Sequence, residues 1–201
     1  MFRLLRNLIL IAILAAGAAA GLLLWLSPDP VYTAKEWLSG SRFWAYDDHI
    51  KSIAAKHGID PMLIKAVVWR ESTFHPDKVG TSGERGLMQV TEGAAQDWAK
   101  AEKVETFVPT DLFDPRTNID VGAWYLARAM DRWKARDNPI PFALAEYNAG
   151  RSRADRWVAE TNLADKAEAK DFVEAIDFPS TKSYISEITR RYQFYKDRGR
   201  L

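Results

Sequence analysis

The chain has 201 residues, of which 47% are hydrophobic, 27% charged and 12% aromatic; this excludes a disordered polypeptide and allows one soluble domain with about forty-five residues to spare. Lys and Arg total 28 against 27 Asp and Glu, a net charge of +1, so the charge balance gives no support to nucleic acid as a partner. The absence of cysteine excludes a disulfide scaffold, a thiol nucleophile, a cysteine-ligated metal and a lipid-modified N-terminal cysteine, and three histidines are too few for a His-rich metal centre.

The spare residues come first. Arg3 and Arg6 precede Leu8–Leu26, nineteen residues without a charge. At about 1.5 Å per residue a helix of that length just spans a hydrocarbon core of roughly 30 Å. The two arginines put residues 1–7 in the cytoplasm as a short stub, and Trp25 falls at the far interface. Ala18-Ala19-Ala20 resembles a signal-peptide cleavage site, but the apolar run resumes at Leu22, which favours an uncleaved anchor over 8–26. On this reading everything after the anchor lies outside the cytoplasm.

Ser27-Pro28-Asp29-Pro30 has linker composition, and the segment to Tyr46 reads as a short helix or a wrapping stretch anchored by Trp37, Phe43 and Trp44. Domain residues 47–201 are expected to be mainly α. Asp60-Pro61 opens a helix to Ser72, Thr91 opens one to Lys100, and Asp114-Pro115 opens a long one to about Arg136. Pro141–Ala149 is a short apolar helix that Gly150 stops, and Ser180 caps the last, whose stripe is Tyr184, Ile185, Ile188, Tyr192 and Tyr195. Residues 73–85 form a loop with room for a small hairpin. Asp47-Asp48-His49 reads as a helix cap with a solvated neighbour, and most of the tryptophans read as core.

One residue breaks the pattern. Ile64, Val67 and Val68 form the core stripe of the helix from Pro61, and the next position of that stripe is Glu71. A carboxylate at the end of a buried stripe, in the last turn of a helix, has its pKa raised by desolvation and by the helix dipole. That is what a general acid near neutral pH requires. The alternative from pattern alone is a Glu71 turned to solvent and paired with Arg70 or Lys65.

Glu71-Ser72-x-Phe74-x-Pro76, then Gly86-Leu87-Met88-Gln89, then Ala145-Glu146-Tyr147-Asn148-Ala149-Gly150 occur in that order. With them, residues 47–197 resemble the catalytic domain of the soluble lytic transglycosylase (SLT) family, with its goose-type-lysozyme-like helical fold. The resemblance implies that Glu71 is the single catalytic acid and base. It implies that Ser72, Met88, Gln89, Tyr147 and Asn148 line or support the substrate cleft, and that Tyr184, in Phe178-x-x-Thr181-x-x-Tyr184, reaches back toward the glutamate. Many members have a serine nine residues after the catalytic Glu, where Gly80 stands here; Ser82 is the candidate replacement. Ser180 stands where relatives often have Glu.

The implied reaction cleaves the β-1,4 bond between N-acetylmuramic acid and N-acetylglucosamine and leaves a 1,6-anhydromuramyl end, with peptidoglycan strands as partner and no cofactor or metal. Two other readings stay open. Glu146 would make a hydrolytic muramidase if it reached the cleft as a second carboxylate; as the neighbour of Tyr147 on one helix it faces about 100° away. A catalytically silent peptidoglycan-binding module is the other. The anchor places the domain in the periplasm at the inner membrane, within reach of envelope-assembly or cell-wall machinery as a partner. Arg151, Arg153 and Arg156 form a basic face that reads as solvated helix surface.

Overall fold

Residues 2–26, 30–163, 166–199 and 201 are described by the computed structural model, in which the chain divides after Phe43 into two units. The linker residues 27–29 and the side chain of Trp37 lie outside the described set. In the first unit, α1 (Phe2–Leu26) starts at Phe2 and includes Arg3 and Arg6. Its segment Phe2–Leu23 is long and apolar enough to cross a membrane, with none of it buried in protein. Helix α2 (Pro30–Leu38) and a 3₁₀ turn (Gly40–Phe43) follow, with the rings of Tyr32 and Phe43 edge to face at 5.4 Å.

The second unit is mainly helical, as the sequence predicts. Helix α3 (Asp47–His57) ends at Gly58, whose positive φ of 64° allows its N–H to return to the Ala54 carbonyl. The N-cap position is Tyr46; Asp47 lies one residue inside, buried, where it accepts from Lys65 Nζ at 2.7 Å. The cap expected at Asp47 is therefore half of a buried ion pair. Helix α4 (Pro61–Ser72) is capped by Asp60, which accepts from the Met62 N–H at 2.9 Å. Leu63, Ile64, Ala66, Val67 and Val68 are all buried, because α3 packs on one side and the last helix on the other.

Helix α5 (Glu92–Ala101) is capped by Thr91 and α6 (Pro115–Arg132) by Asp114. The latter stops four residues short of the expected Arg136. Trp133 there turns inward onto Phe142, ring centroids 5.2 Å apart, and this contact takes the place of a further turn. Helix α7 (Ile140–Ala149) is buried from Pro141 to Ala145, and Gly150, with φ 87°, lets the chain turn at once into α8 (Arg151–Glu160). A short α9 (Ala169–Ala175), unexpected from the sequence, stacks Phe172 on Phe142 at 4.1 Å.

Helix α10 (Pro179–Arg198) begins with the rigid ring of Pro179 at its first position, so Phe178 occupies the N-cap and Ser180 does not cap it. Its expected stripe is buried except at Tyr192, which is only partly covered and donates to Asp60 Oδ2 at 2.9 Å. Arg191 is buried as well, its guanidinium 4.4 Å from the Trp69 ring centre. Trp98, Trp133 and Trp157 are core; Trp44 is exposed, and Trp69 and Trp124 are only partly covered. Helix α7 sits between α6 and α10, and α10 packs along α4. That arrangement brings three distant segments to the end of α4.

Candidate active site

Glu71 occupies the last turn of α4, and the backbone then passes through two consecutive positive-φ residues, Thr73 (52°) and Phe74 (61°). For residues with a Cβ such conformations cost about 1–3 kcal/mol each and persist only where the surroundings enforce them. Here Phe74 is wholly buried and fixes the bend. The bend ends α4 directly beneath the carboxylate.

Tyr184 of α10 donates its hydroxyl hydrogen to Glu71 Oε1 at 2.6 Å. Burial pushes the Glu71 carboxyl up to about 7, against the lowering pull of that hydrogen bond and of the Arg70 and Lys78 cations, while the charge of Glu84 adds to the rise. Desolvation is thus the main cause, as the stripe position suggests. The helix dipole is offset locally, because Lys78 Nζ donates to the backbone carbonyl of Glu71 itself. Neither cation considered as a solvent-side partner binds the carboxylate. Arg70 bridges to Glu187 at 2.7 Å and lies over the Tyr184 ring at 5.6 Å, and Lys65 holds Asp47.

Tyr147 of α7 donates to the Met88 carbonyl at 2.9 Å, and burial raises its phenol well above the usual range, with the Glu71 charge adding to the effect. Tyr184 is raised likewise by burial and by Glu71. Both phenols therefore stay protonated and act as donors around one carboxyl group. Asn148 is exposed, and its Oδ1 accepts from Thr181 Oγ1 at 2.9 Å, which ties the end of α7 to the start of α10.

The 73–91 loop forms the facing wall. Its only β pairing among the described residues is two isolated bridges, Val79 with Arg85 and Arg85 with Val90, so the anticipated hairpin is rudimentary. Gln89, at φ 48°, donates from Nε2 to the carbonyls of Lys78 (3.1 Å) and Gly86 (2.9 Å). Met88 is fully buried against Gly122, so its side chain is wall and not surface. Ser72 is buried with its hydroxyl turned back to the Val68 carbonyl at 3.1 Å. Ser82 is exposed, and its N–H donates to Glu84 Oε2 at 3.0 Å.

Several supporting residues escaped the sequence reading. Asn118 of α6, completely buried, accepts from the Met88 N–H at 2.7 Å and donates to the carbonyls of Arg85 and Leu112, both at 2.8 Å. It fixes the Gly86–Gln89 segment, yet a lone Asn in a helix carries no signal of such a role. Lys78 and Glu84 were likewise invisible, since each acts through neighbours set by the loop fold.

Beyond Gln89 and Tyr147 runs a groove of ≈ 1010 Å³, with Trp124 and Arg128 on its α6 side. Glu146 also borders it, but its Oε2 accepts from Arg132 Nη1 and Trp133 Nε1, both at 2.7 Å. The carboxylate is held against α6 by two donors.

The Transglycosylase SLT domain family matches residues 48–170. The chain is 31% identical over 153 residues to the soluble lytic murein transglycosylase of Escherichia coli strain K12, covering 76% of this chain and 23% of that protein. It is 30% identical over 148 residues to a membrane-bound lytic murein transglycosylase F of Desulfosudis oleivorans, covering 71% and 31%. Among solved structures, the 70 kDa soluble lytic transglycosylase of Escherichia coli aligns with a TM-score of 0.69 at 30% identity, over 76% of this chain and 24% of that one. An inactive mutant of the lytic transglycosylase Slt from Pseudomonas aeruginosa, 23% identical, shares the fold with a TM-score of 0.67 over 77% and 24%. The chain thus spans between 23% and 31% of the length of these relatives.

Proposed function

This chain belongs to the transglycosylase SLT family, and we propose that its second unit is a peptidoglycan lytic transglycosylase that cleaves the β-1,4 bond between N-acetylmuramic acid and N-acetylglucosamine. The observation that carries the reading is Glu71: a carboxyl group held by Tyr184 at 2.6 Å and pushed by burial up to about 7, so that both its forms are accessible near neutral pH.

Protonated Glu71 gives its proton to the glycosidic oxygen as the C1–O bond breaks. The muramic N-acetyl oxygen bonds to C1 and takes up the positive charge. Glu71, now a carboxylate, removes the proton of the C6 hydroxyl, whose oxygen closes onto C1 and displaces the acetyl oxygen. The product is a 1,6-anhydromuramyl end, no water is consumed, and Glu71 is again protonated. Tyr184 fixes one carboxylate oxygen throughout, which leaves Oε2 to move the proton. Gln89, Tyr147 and Asn148 form the cleft around it, Met88 backs the wall, and Ser72 and Ser82 act at most through the local backbone.

The organisation that goes with this function is an anchor over 8–26, a linker and wrapping segment over 27–46, and a catalytic domain over 47–201. An apolar N-terminal helix and the membrane-bound transglycosylases among the similar proteins support anchoring. Arg3 and Arg6 support a cytoplasmic N-terminus, hence a periplasmic domain tethered to the inner membrane and confined to nearby glycan.

Mass spectrometry of muropeptides released from purified peptidoglycan by the detergent-solubilised full chain tests the reaction. Anhydro ends, one water lighter than reducing ends and absent with Glu71→Gln, are expected. Reducing ends would make the protein a hydrolytic muramidase, and no release would leave a silent binding module.

A further inference from the structure

In the 73–91 wall, the side-chain position that Gly80 leaves empty is filled by a carboxylate. A Cβ at Gly80 would lie 2.3 Å from Glu84 Oε2 and 2.9 Å from Gln89 Oε1, so a serine there would collide with both. Glu84 is positioned by its own loop: its carbonyl accepts from the Gly80 N–H at 2.7 Å, and its Oε2 accepts from the Ser82 N–H at 3.0 Å. Both side-chain hydrogens of Gln89 are spent on the Lys78 and Gly86 carbonyls, which leaves Oε1 as the free end of that amide. Two acceptor oxygens from partly buried residues thus meet against Gly80, and Gln89 also lines the groove beyond.

We infer that Glu84 is a substrate-contacting residue which, with Gln89 Oε1, forms an acceptor pair that binds a hydroxyl or amide N–H of the amino sugar beside the scissile bond. A serine hydroxyl at Gly80 would both donate and accept; a carboxylate and an amide oxygen only accept. The corner therefore selects sugar groups that donate and disfavours a bare carbonyl or a substrate carboxylate. Its charge has a second consequence. Glu71 is faced by Arg70 of α4, by Lys78 and Glu84 of the loop, by Tyr147 of α7 and by Tyr184 of α10, with Glu187 behind Arg70. Among these Glu84 alone adds negative charge next to the carboxyl, so it helps keep Glu71 protonated.

The inference rests on the transglycosylase reading, and the test separates the two. Binding of purified glycan strands is measured with the full chain carrying Glu71→Gln, with and without Glu84→Ala or Glu84→Gln; the pH profile of anhydro-muropeptide release is measured in the Glu71 background. Loss of a charge-assisted hydrogen bond predicts a roughly tenfold weaker Kd for Glu84→Ala. Removing a nearby negative charge predicts a descending limb several tenths of a pH unit lower for Glu84→Gln, which keeps the side-chain shape. An unchanged Kd and an unchanged limb together with a lower Tm would make Glu84 a loop strut and overturn the inference. If the unmutated chain itself releases no anhydro product, the transglycosylase reading fails, while the Kd comparison still decides whether Glu84 touches glycan.

Discussion

The hydroxyl of Tyr184, 113 residues downstream in sequence, donates to Glu71 Oε1 at 2.6 Å. That bond stabilises the carboxylate and so opposes the burial that raises its pKa. It also fixes the rotamer from which the proton is delivered, with Arg70 over the Tyr184 ring holding the phenol in turn.

Tyr184→Phe is expected to raise the Glu71 pKa further and loosen the carboxyl. A hydrogen bond to a charged group contributes about 1.5–3 kcal/mol, so kcat is expected to fall roughly 10- to 100-fold, with the descending limb of the pH profile displaced to higher pH. Initial rates of anhydro-muropeptide release between pH 5 and 9 check this. A limb that stays in place would mean that Tyr184 serves packing alone.

Glu71 destabilises the fold once it is ionised. Below its ordinary value of 4.5 the carboxyl is protonated in both folded and unfolded chains and contributes nothing to pH dependence. Between 4.5 and about 7 the unfolded chain ionises while the folded one keeps its proton, so stability falls as pH rises. Above that range the deficit is complete and reaches up to about 3 kcal/mol. Glu71→Gln is therefore expected to abolish turnover, to match the parent in thermal melts near pH 4, and to melt several degrees higher at pH 8. Equal Tm values at pH 8 would contradict a buried, destabilised carboxyl.

The acid was legible because it interrupts a core stripe: Ile64, Val67, Val68 and Glu71 follow helical spacing, and the first three are fully buried as expected. Helix starts at Asp60, Thr91 and Asp114 were equally legible, since each is a side chain that accepts from a nearby backbone N–H. The end of α6 was not, because Trp133 leaves the helix to meet Phe142 and Phe172 from distant segments. The same limit hid Asn118, which acts only once the 73–91 loop closes on α6, and Glu84, which the fold of that loop sets against Gly80. Local chemistry is written along the chain; contacts across it are decided by packing.

Gly86 carries the tightest backbone approach in the site. Its φ is 77°, and a Cβ there would meet Asn118 Nδ2 at 2.2 Å and the Leu112 carbonyl at 2.4 Å. Gly86→Ala is expected to cost about 2–4 kcal/mol, combining left-handed strain with overpacking against backbone. Because Gln89 donates to the Gly86 carbonyl, KM for glycan is expected to rise even where the variant remains folded. Chemical denaturation and steady-state kinetics on the same preparation measure both effects. A variant as stable as the parent would show that the segment is free to shift.

Glu146 is the carboxylate whose role separates lysis from hydrolysis. As a water-activating base it would need a free oxygen directed at the bond and no strong donor competing for it. Instead Oε2 accepts from Arg132 and from the Trp133 indole at 2.7 Å each, and Arg132 is further held by Asp155. This locks the Glu146 side chain to the end of α6, while Tyr147, the next residue, turns to the Met88 wall. Glu146→Gln keeps the acceptor oxygen for one donor but loses its charge. It is expected to lower stability by about 1–3 kcal/mol. Anhydro products should persist at a rate within about threefold, a surplus small enough to be indirect positioning and not loss of a base. Loss of product release with an unchanged Tm would place Glu146 in the chemistry, and reducing ends from the unmutated chain would make it the base of a hydrolase.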